Sequence, residues 1–268
     1  MRYRTVLRSY ELNIAKPAYA GKQIKLAYFS DLHGCTSKRE QEKLLDILEH
    51  ADPALVLCGG DAAVGTPGWD PASTVCFLKK VASRRTLLLS VGNHELRLRL
   101  NTNKYGDLYA RYTGLLAEQG LYHLINETVD LTIDGMLFRI YGFDVPRRYY
   151  VHGSRPHMPL SELTGVFESP GDAPVTILLA HNPSALHTYL EWGADLTLCG
   201  HTHGGLMRLG SHRGFISPEL FLFPREAYGH FQKQGKHAII SSGCGEHTLP
   251  IRIFNPREIV ALKLNFTA

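Results

Sequence analysis

The stretch LCGHTHGGLM, residues 198–207, closes an apolar run with two histidines one residue apart and glycine on either side. Side chains alternate along an extended segment, so His201 and His203 project the same way. Two imidazoles so placed are either chance composition or half of a metal site. The run before them, DLTLC (195–199), has the length of a buried strand. Four earlier runs resemble it. IKLAYFS (24–30) leads into Asp31-Leu32-His33 and ALVLC (54–58) into Gly59-Gly60-Asp61. TLLLS (86–90) leads into Gly92-Asn93-His94-Glu95, and VTILLA (175–180) into His181-Asn182. Five strands thus end in metal-capable or titratable side chains. In open α/β sheets the carboxyl ends of strands are where ligands gather, which predicts that these tips converge.

The stretches between the strands suit helices. Ser37 and Glu40 form an S-x-x-E capping box, with Leu44, Leu45, Ile47 and Leu48 as the buried face and Asp52-Pro53 as the stop. Further helices are predicted over Pro71–Ser83, within 103–119 and near 184–192. Arg97 and Arg99 read as an element face rather than as ligand contacts. Asp134-Gly135 between ETVDLTI and MLFRIYGF marks a hairpin. GKHAIISSG, PIRIFN and EIVALKLNF predict three closing strands. Strand–helix alternation gives a mainly parallel α/β arrangement, and the added hairpin and closing strands give two packed sheets. No repeat or linker divides the chain, so residues 1–268 are expected to form a single domain. Its core spans about 24–265, and the Pro-, Gly-, Arg- and Tyr-rich segment 143–174 is a substrate-facing insertion.

Composition sets limits. The 268 residues are 44% hydrophobic with a net charge of +4, ordinary for a globular protein. That charge is too small to predict a nucleic-acid polymer as partner, while it suits a small anionic substrate. Cys35, Cys58, Cys76, Cys199 and Cys244 show no CxxC spacing and are expected as buried free thiols in a reducing compartment, hence a cytoplasmic location. No run is long enough to span a bilayer. Arg2, Arg4 and Arg8 either touch an anionic surface or belong to a solvated terminal strand.

The strand-end groups are two carboxylates, four imidazoles and an amide, a set suited to Mn, Fe or Zn. Seven groups exceed the needs of one tetrahedral ion and match two divalent ions sharing a carboxylate. In their order DLH, GGD, GNHE, AHNP and GHTH, the motifs resemble the calcineurin-like metallophosphoesterase family. GHTHGG and the closing SSGCGEHTLPIRIFNP are most similar to its bacterial phosphodiesterase-like branch. The resemblance implies a four-layer αββα sandwich and a two-metal hydrolase. It implies that Asp31, His33 and His203 hold one ion, Asn93, His181 and His201 the other, and that Asp61 bridges them. His94 would assist departure of the ester oxygen, and Glu95 would orient a neighbour.

The expected reaction is attack of metal-activated water on a phosphodiester or related small phosphate ester. A nucleotide-linked lipid pyrophosphate (UDP-diacylglucosamine type) is the alternative substrate, and a non-catalytic scaffold the alternative role. After Asp61 the chain reads AAVG, without the Asp-Arg-Gly of protein phosphatases, which argues against a phosphoprotein substrate. Many relatives of the branch begin with a membrane anchor; this chain begins without one, so peripheral membrane contact lacks support in the sequence. Arg147, Arg148 and Arg155 in DVPRRYYVHGSRPH (144–157) either bind a second phosphate or belong to a solvated basic loop. The apolar GFISPELFLFP (214–224) either packs on the sheet or meets a lipid tail.

Overall fold

The computed structural model of the protein describes residues 4–34, 37–171, 174–245 and 251–268. One six-stranded sheet is ordered β1 (Thr5–Ala15), β14 (Arg257–Thr267), β2 (Gln23–Phe29), β3 (Leu55–Cys58), β4 (Thr86–Ser90) and β5 (His123–Leu124). The other is ordered β12 (Gly229–Lys233), β13 (Lys236–Ile240), β9 (Leu196–Cys199), β8 (Val175–Ala180), β7 (Met136–Phe143) and β6 (Glu127–Ile133). Strands β2 to β5 are parallel, as are β7, β8, β9 and β13. Strand β14 runs antiparallel to β2, and β6 and β12 are antiparallel outer strands. A two-stranded ribbon, β10 (Arg208–Leu209) with β11 (Arg213–Gly214), lies apart from both sheets.

The alternation of side chains builds four layers. Leu26, Tyr28, Leu55 and Leu57 from the first sheet meet Ile177, Leu179, Leu196 and Leu198 from the second in a central core. Their neighbours Ala27, Phe29, Val56 and Cys58 face outward to α1 (Lys38–Ala51), α2 (Ala72–Ala82) and α5 (Leu108–Ala117). On the far side, Leu178, Ala180 and Cys199 pack on α7 (Leu186–Trp192) and on residues from 143–167. The short helices α3 (Asn93–Leu100), α4 (Thr102–Tyr105) and α6 (Ser161–Thr164) complete the helical set among the described residues. The result is the expected αββα sandwich.

Local details depart from the sequence reading. Ser37 caps α1 without a side-chain bond, and Glu40 pairs instead with the buried Arg257 at 3.0 Å. A charged partner at the start of β14 outcompetes the capping box. Among its described residues, 251–255, PIRIFN forms an isolated bridge from Ile253 to Met207 in place of a strand, and β12 was not foreseen. Cys76 is exposed on α2, unlike Cys58, Cys199 and Cys244; Cys35 lies outside the described residues, as does Arg2. The hairpin holds, with φ of 50° at Asp134 and 71° at Gly135 as a primed turn requires. No helix among the described residues is long and apolar enough to cross a membrane.

At the amino-terminal end of β9, Asp195 ties the two sheets together. Its carboxylate lies 2.9 Å from Lys16 and 2.9 Å from Lys236, and accepts from the Thr176 backbone and hydroxyl. Lys16 and Asp195 are both buried. Removing one partner of a buried pair leaves the other charge uncompensated. Asp195→Ala should therefore lower unfolding free energy by about 3–5 kcal/mol, read as a drop in the urea midpoint. An unchanged midpoint would contradict this account of the inter-sheet tie.

Candidate metal centre

The loops after β2 and β3 are zipped together beyond the sheet. Asp31 N–H donates to Gly60 O (3.0 Å) and His33 N–H to Asp61 O (2.9 Å). The second sheet joins them where His201 N–H donates to both oxygens of Asp31, at 3.0 and 3.1 Å. Asp31, His33, Asp61, His201 and His203 all adopt left-handed backbone, with φ from 47° to 69°. Such conformations carry strain for side chains larger than glycine and concentrate at functional sites. Gly92 and Gly200 make the close approach possible: a Cβ on the first would collide with the Asp61 carboxylate, and one on the second with that of Asp31.

All seven strand-end residues predicted from sequence meet in this one place. Two sets of donor atoms form around Asp61. In the first, His33 Nε2 is 2.9 Å from His203 Nε2, and Asp31 Oδ1 is 3.4 Å from His203 Nε2 and 3.8 Å from His33 Nε2. In the second, Asp61 Oδ2 lies 3.1 Å from His181 Nε2. The Asn93 side-chain amide points inward, one of its terminal atoms 3.1 Å from Asp61 Oδ2 and 2.8 Å from His201 Nδ1 and the other beside Arg97. Two ligands at about 2.1 Å from one ion, 90–109° apart, lie roughly 3.0–3.4 Å from each other. The spacings fit that geometry. Asp31, His33 and His203, and likewise Asp61, His181 and His201, offer ligand atoms that lie within 4.8 Å of one another, so the donor set fits metal ions.

Outer hydrogen bonds decide which nitrogen faces inward. His181 Nδ1–H donates to Gly59 O (2.8 Å), and His201 Nε2–H donates to Glu219 Oε1 (2.6 Å). Each ring therefore turns its other nitrogen to the centre, the arrangement that second-sphere partners impose on ligating imidazoles. His94 is wired the opposite way. Its Nδ1 accepts the Gly65 N–H at 2.7 Å, so the neutral ring presents Nε2–H, 4.0 Å from Asp61 Oδ2. Glu95 accepts backbone N–H bonds from Asp61, Ala63 and Gly92, pinning two turns at once.

The buried carboxylates and imidazoles shift one another strongly. Burial pushes Asp31 up, but His203, His181 and His33 outweigh it and hold the carboxyl well below its usual range. Asp61 is likewise lowered, burial being overcome by His181 and His94. Burial lowers His181, yet Asp61 and Asp31 reverse this and raise it to about 10. The field of the two carboxylates calls for positive charge at that nitrogen. Burial brings His94 down to about 3 against the pull of Asp61, which keeps the ring neutral.

A cavity of about 960 Å³ opens over these groups, lined by His33, His94, Asn93 and His201 and, on its walls, Arg97 and Arg147. The three arginines of 144–157 are thus divided. Arg147 lines the cavity, whereas Arg148 pairs with Glu162 and stacks 4.9 Å over Tyr149, and Arg155 lies 5.2 Å over the Phe221 ring. Arg148 and Arg155 are outside the cavity lining because those local partners hold them. Arg97 and Arg99 also differ: the first faces the cavity and the second pairs with Asp144. Sequence reasoning missed Glu219. Its sole signal was a lone acid inside an apolar loop.

Known proteins resemble this chain in sequence and in fold. The chain is 27% identical over 235 residues to YpbG of Bacillus subtilis, covering 86% of this chain and 76% of that one. It is 26% identical over 250 residues to the metallophosphoesterase Cj0846 of Campylobacter jejuni, covering 91% of this chain and 59% of the relative. The fold matches a 5′-nucleotidase precursor from Thermus thermophilus with a TM-score of 0.54 at 15% identity, over 84% of this chain and 50% of that one. The family profile described as calcineurin-like phosphoesterase matches residues 24–205. With that match covering most of its length, the chain belongs to the calcineurin-like phosphoesterase family.

Proposed function

We propose that the protein is a two-metal phosphoesterase acting on a small phosphodiester or related ester in the cavity above the strand tips. Asp31, His33 and His203 would hold one divalent ion and Asn93, His181 and His201 the other, with Asp61 shared. Imidazole, carboxylate and amide donors suit Mn, Fe or Zn. The observation that carries the reading is the opposite wiring of the histidines: His181 and His201 engage outer acceptors and turn their second nitrogen inward, whereas His94 accepts from Gly65 and turns an N–H to the cavity.

When bound, such an ion pair supplies charge neutralisation for phosphoryl oxygens and a lowered water pKa. The protein's own groups do the rest. His94 donates its Nε2–H to an oxygen of the substrate, held at that angle by Gly65 and by its own backbone bond to Asp61 Oδ1 (2.7 Å). Arg97 and Arg147 orient the anion from the cavity walls. A nucleotide is one substrate of suitable size and charge, as the nucleotidase among the fold neighbours illustrates. The aim of His94 into the cavity speaks for catalysis over a scaffold role. We place the protein in a reducing, cytoplasmic setting, which suits its buried thiols Cys58, Cys199 and Cys244.

His94→Ala should lower kcat on a chromogenic phosphodiester by about 10²–10⁴-fold with the circular dichroism unchanged. Wild-type turnover in that variant would remove His94 from the reaction. Asp61→Asn should abolish turnover while the fold persists, and an active, metal-replete variant would contradict a shared carboxylate. Glu219→Ala frees the His201 ring to turn and should weaken metal affinity by about 10–100-fold, measured by competition with a chelating dye. Unchanged affinity would reduce Glu219 to a packing residue.

A further inference from the structure

Large apolar side chains exposed among the described residues are not spread evenly. Phe215, Leu220, Leu222 and Phe223 stand out on one segment, and Ile251, Ile253 and Phe254 on another. Phe254 is 85% exposed, Leu220 62% and Leu222 61%, far beyond what packing on the sheet allows. The two segments are side by side. Ile253 N–H donates to Leu206 O (2.9 Å), Arg208 N–H to Ile253 O (3.1 Å), Phe215 N–H to Met207 O (2.9 Å) and Phe223 N–H to Phe215 O (2.9 Å). Backbone order across the surface is therefore 253, 207, 215, 223, at roughly 4.8 Å per step. The rings of Phe215 and Phe223 touch edge to face at 5.7 Å. Leu220 also lines the cavity, together with the exposed Val151 and Leu100, so the apolar rim reaches the cavity mouth.

The fully exposed charges on this rim are arginines, with the half-buried Glu226 next to Arg225. Arg213 and Arg225 are exposed beside the phenylalanines, and Arg155 lies over Phe221. From residue 206 to 226 the acids are Glu219, whose carboxylate is buried against His201, and the half-buried Glu226, so the rim carries more exposed positive than negative charge. Protruding apolar side chains framed by arginines match the two properties of an anionic bilayer surface, an apolar interior beneath negative headgroups. A second copy of the chain fits less well, since a twofold contact through this rim would set arginines against arginines.

We propose that the rim formed by residues 213–225 and 251–254 docks the protein on an anionic phospholipid bilayer, with the cavity mouth at the level of the headgroups. Docking requires no chemistry at the strand tips, so it stands or falls apart from the hydrolytic reading.

Vesicle co-sedimentation of the full chain tests it, using phosphatidylcholine alone and with about one third phosphatidylglycerol. The wild type should sediment with the anionic vesicles and less with the neutral ones. Phe223→Ser/Phe254→Ser should weaken partitioning at least about tenfold. Arg213→Ser/Arg225→Ser should weaken it about fivefold per arginine, and added salt should mimic that loss. Both variants should keep the circular dichroism and the turnover of a soluble diester. Absence of wild-type binding to anionic vesicles would overturn the proposal, as would equal binding by the phenylalanine variant. So would light scattering that shows a dimer which the phenylalanine substitutions dissociate, since the rim would then be a contact between copies.

Discussion

Two carboxylates, Asp31 and Asp61, are buried side by side among four imidazole rings, and the structure around them is arranged to hold that crowded polar cluster. Left alone, such a cluster would take up protons or separate. Here the backbone prevents separation. Asp31 and His33 are bonded to the Gly60 and Asp61 carbonyls, and His201 N–H clasps Asp31 from the opposite sheet. Left-handed backbone at five of the seven residues carries strain of about 1–3 kcal/mol each. A site bound by cations only in the folded state recovers that strain through ligand binding. Cations bound there would hold the tips together and so favour the packing of one sheet on the other.

Division of labour among the histidines follows from ordinary hydrogen-bond chemistry. An imidazole whose outer N–H is engaged by a carbonyl or carboxylate offers its inner nitrogen as a base. One whose inner neighbour nitrogen accepts from the backbone offers a proton. Gly59 and Glu219 impose the first state on His181 and His201, and Gly65 imposes the second on His94. Membership of the calcineurin-like phosphoesterase family accounts for the strand-end motifs. Glu219 is a contribution of the loop that follows GHTHGG, the same loop that carries the exposed rim.

Much of this was legible in the sequence, for physical reasons. Buried strands are continuous apolar runs, so DLTLC, ALVLC and VTILLA stand out, and in parallel sheets whatever follows such a run lies at the ligand-binding edge. That rule alone brought Asp31, Asp61, Asn93 and the four histidines to one place. Tertiary partners were not legible. Glu40 reads as half of a capping box until Arg257, more than two hundred residues on, claims it. Arg147 and Arg148 are neighbours in the chain, and only Glu162 and Tyr149 send the second away from the cavity. The PIRIFN run has strand composition but pairs by a single bridge, and its apolar residues face outward instead of into a core.

The most direct test of the shared-carboxylate site is crystallographic. Crystals grown with Mn²⁺ and measured at the manganese absorption edge should show two anomalous peaks roughly 3.5–4 Å apart at the strand tips, with the Asp61 carboxylate between them. A single peak, or ions bound away from Asp31, Asp61 and His181, would contradict the account.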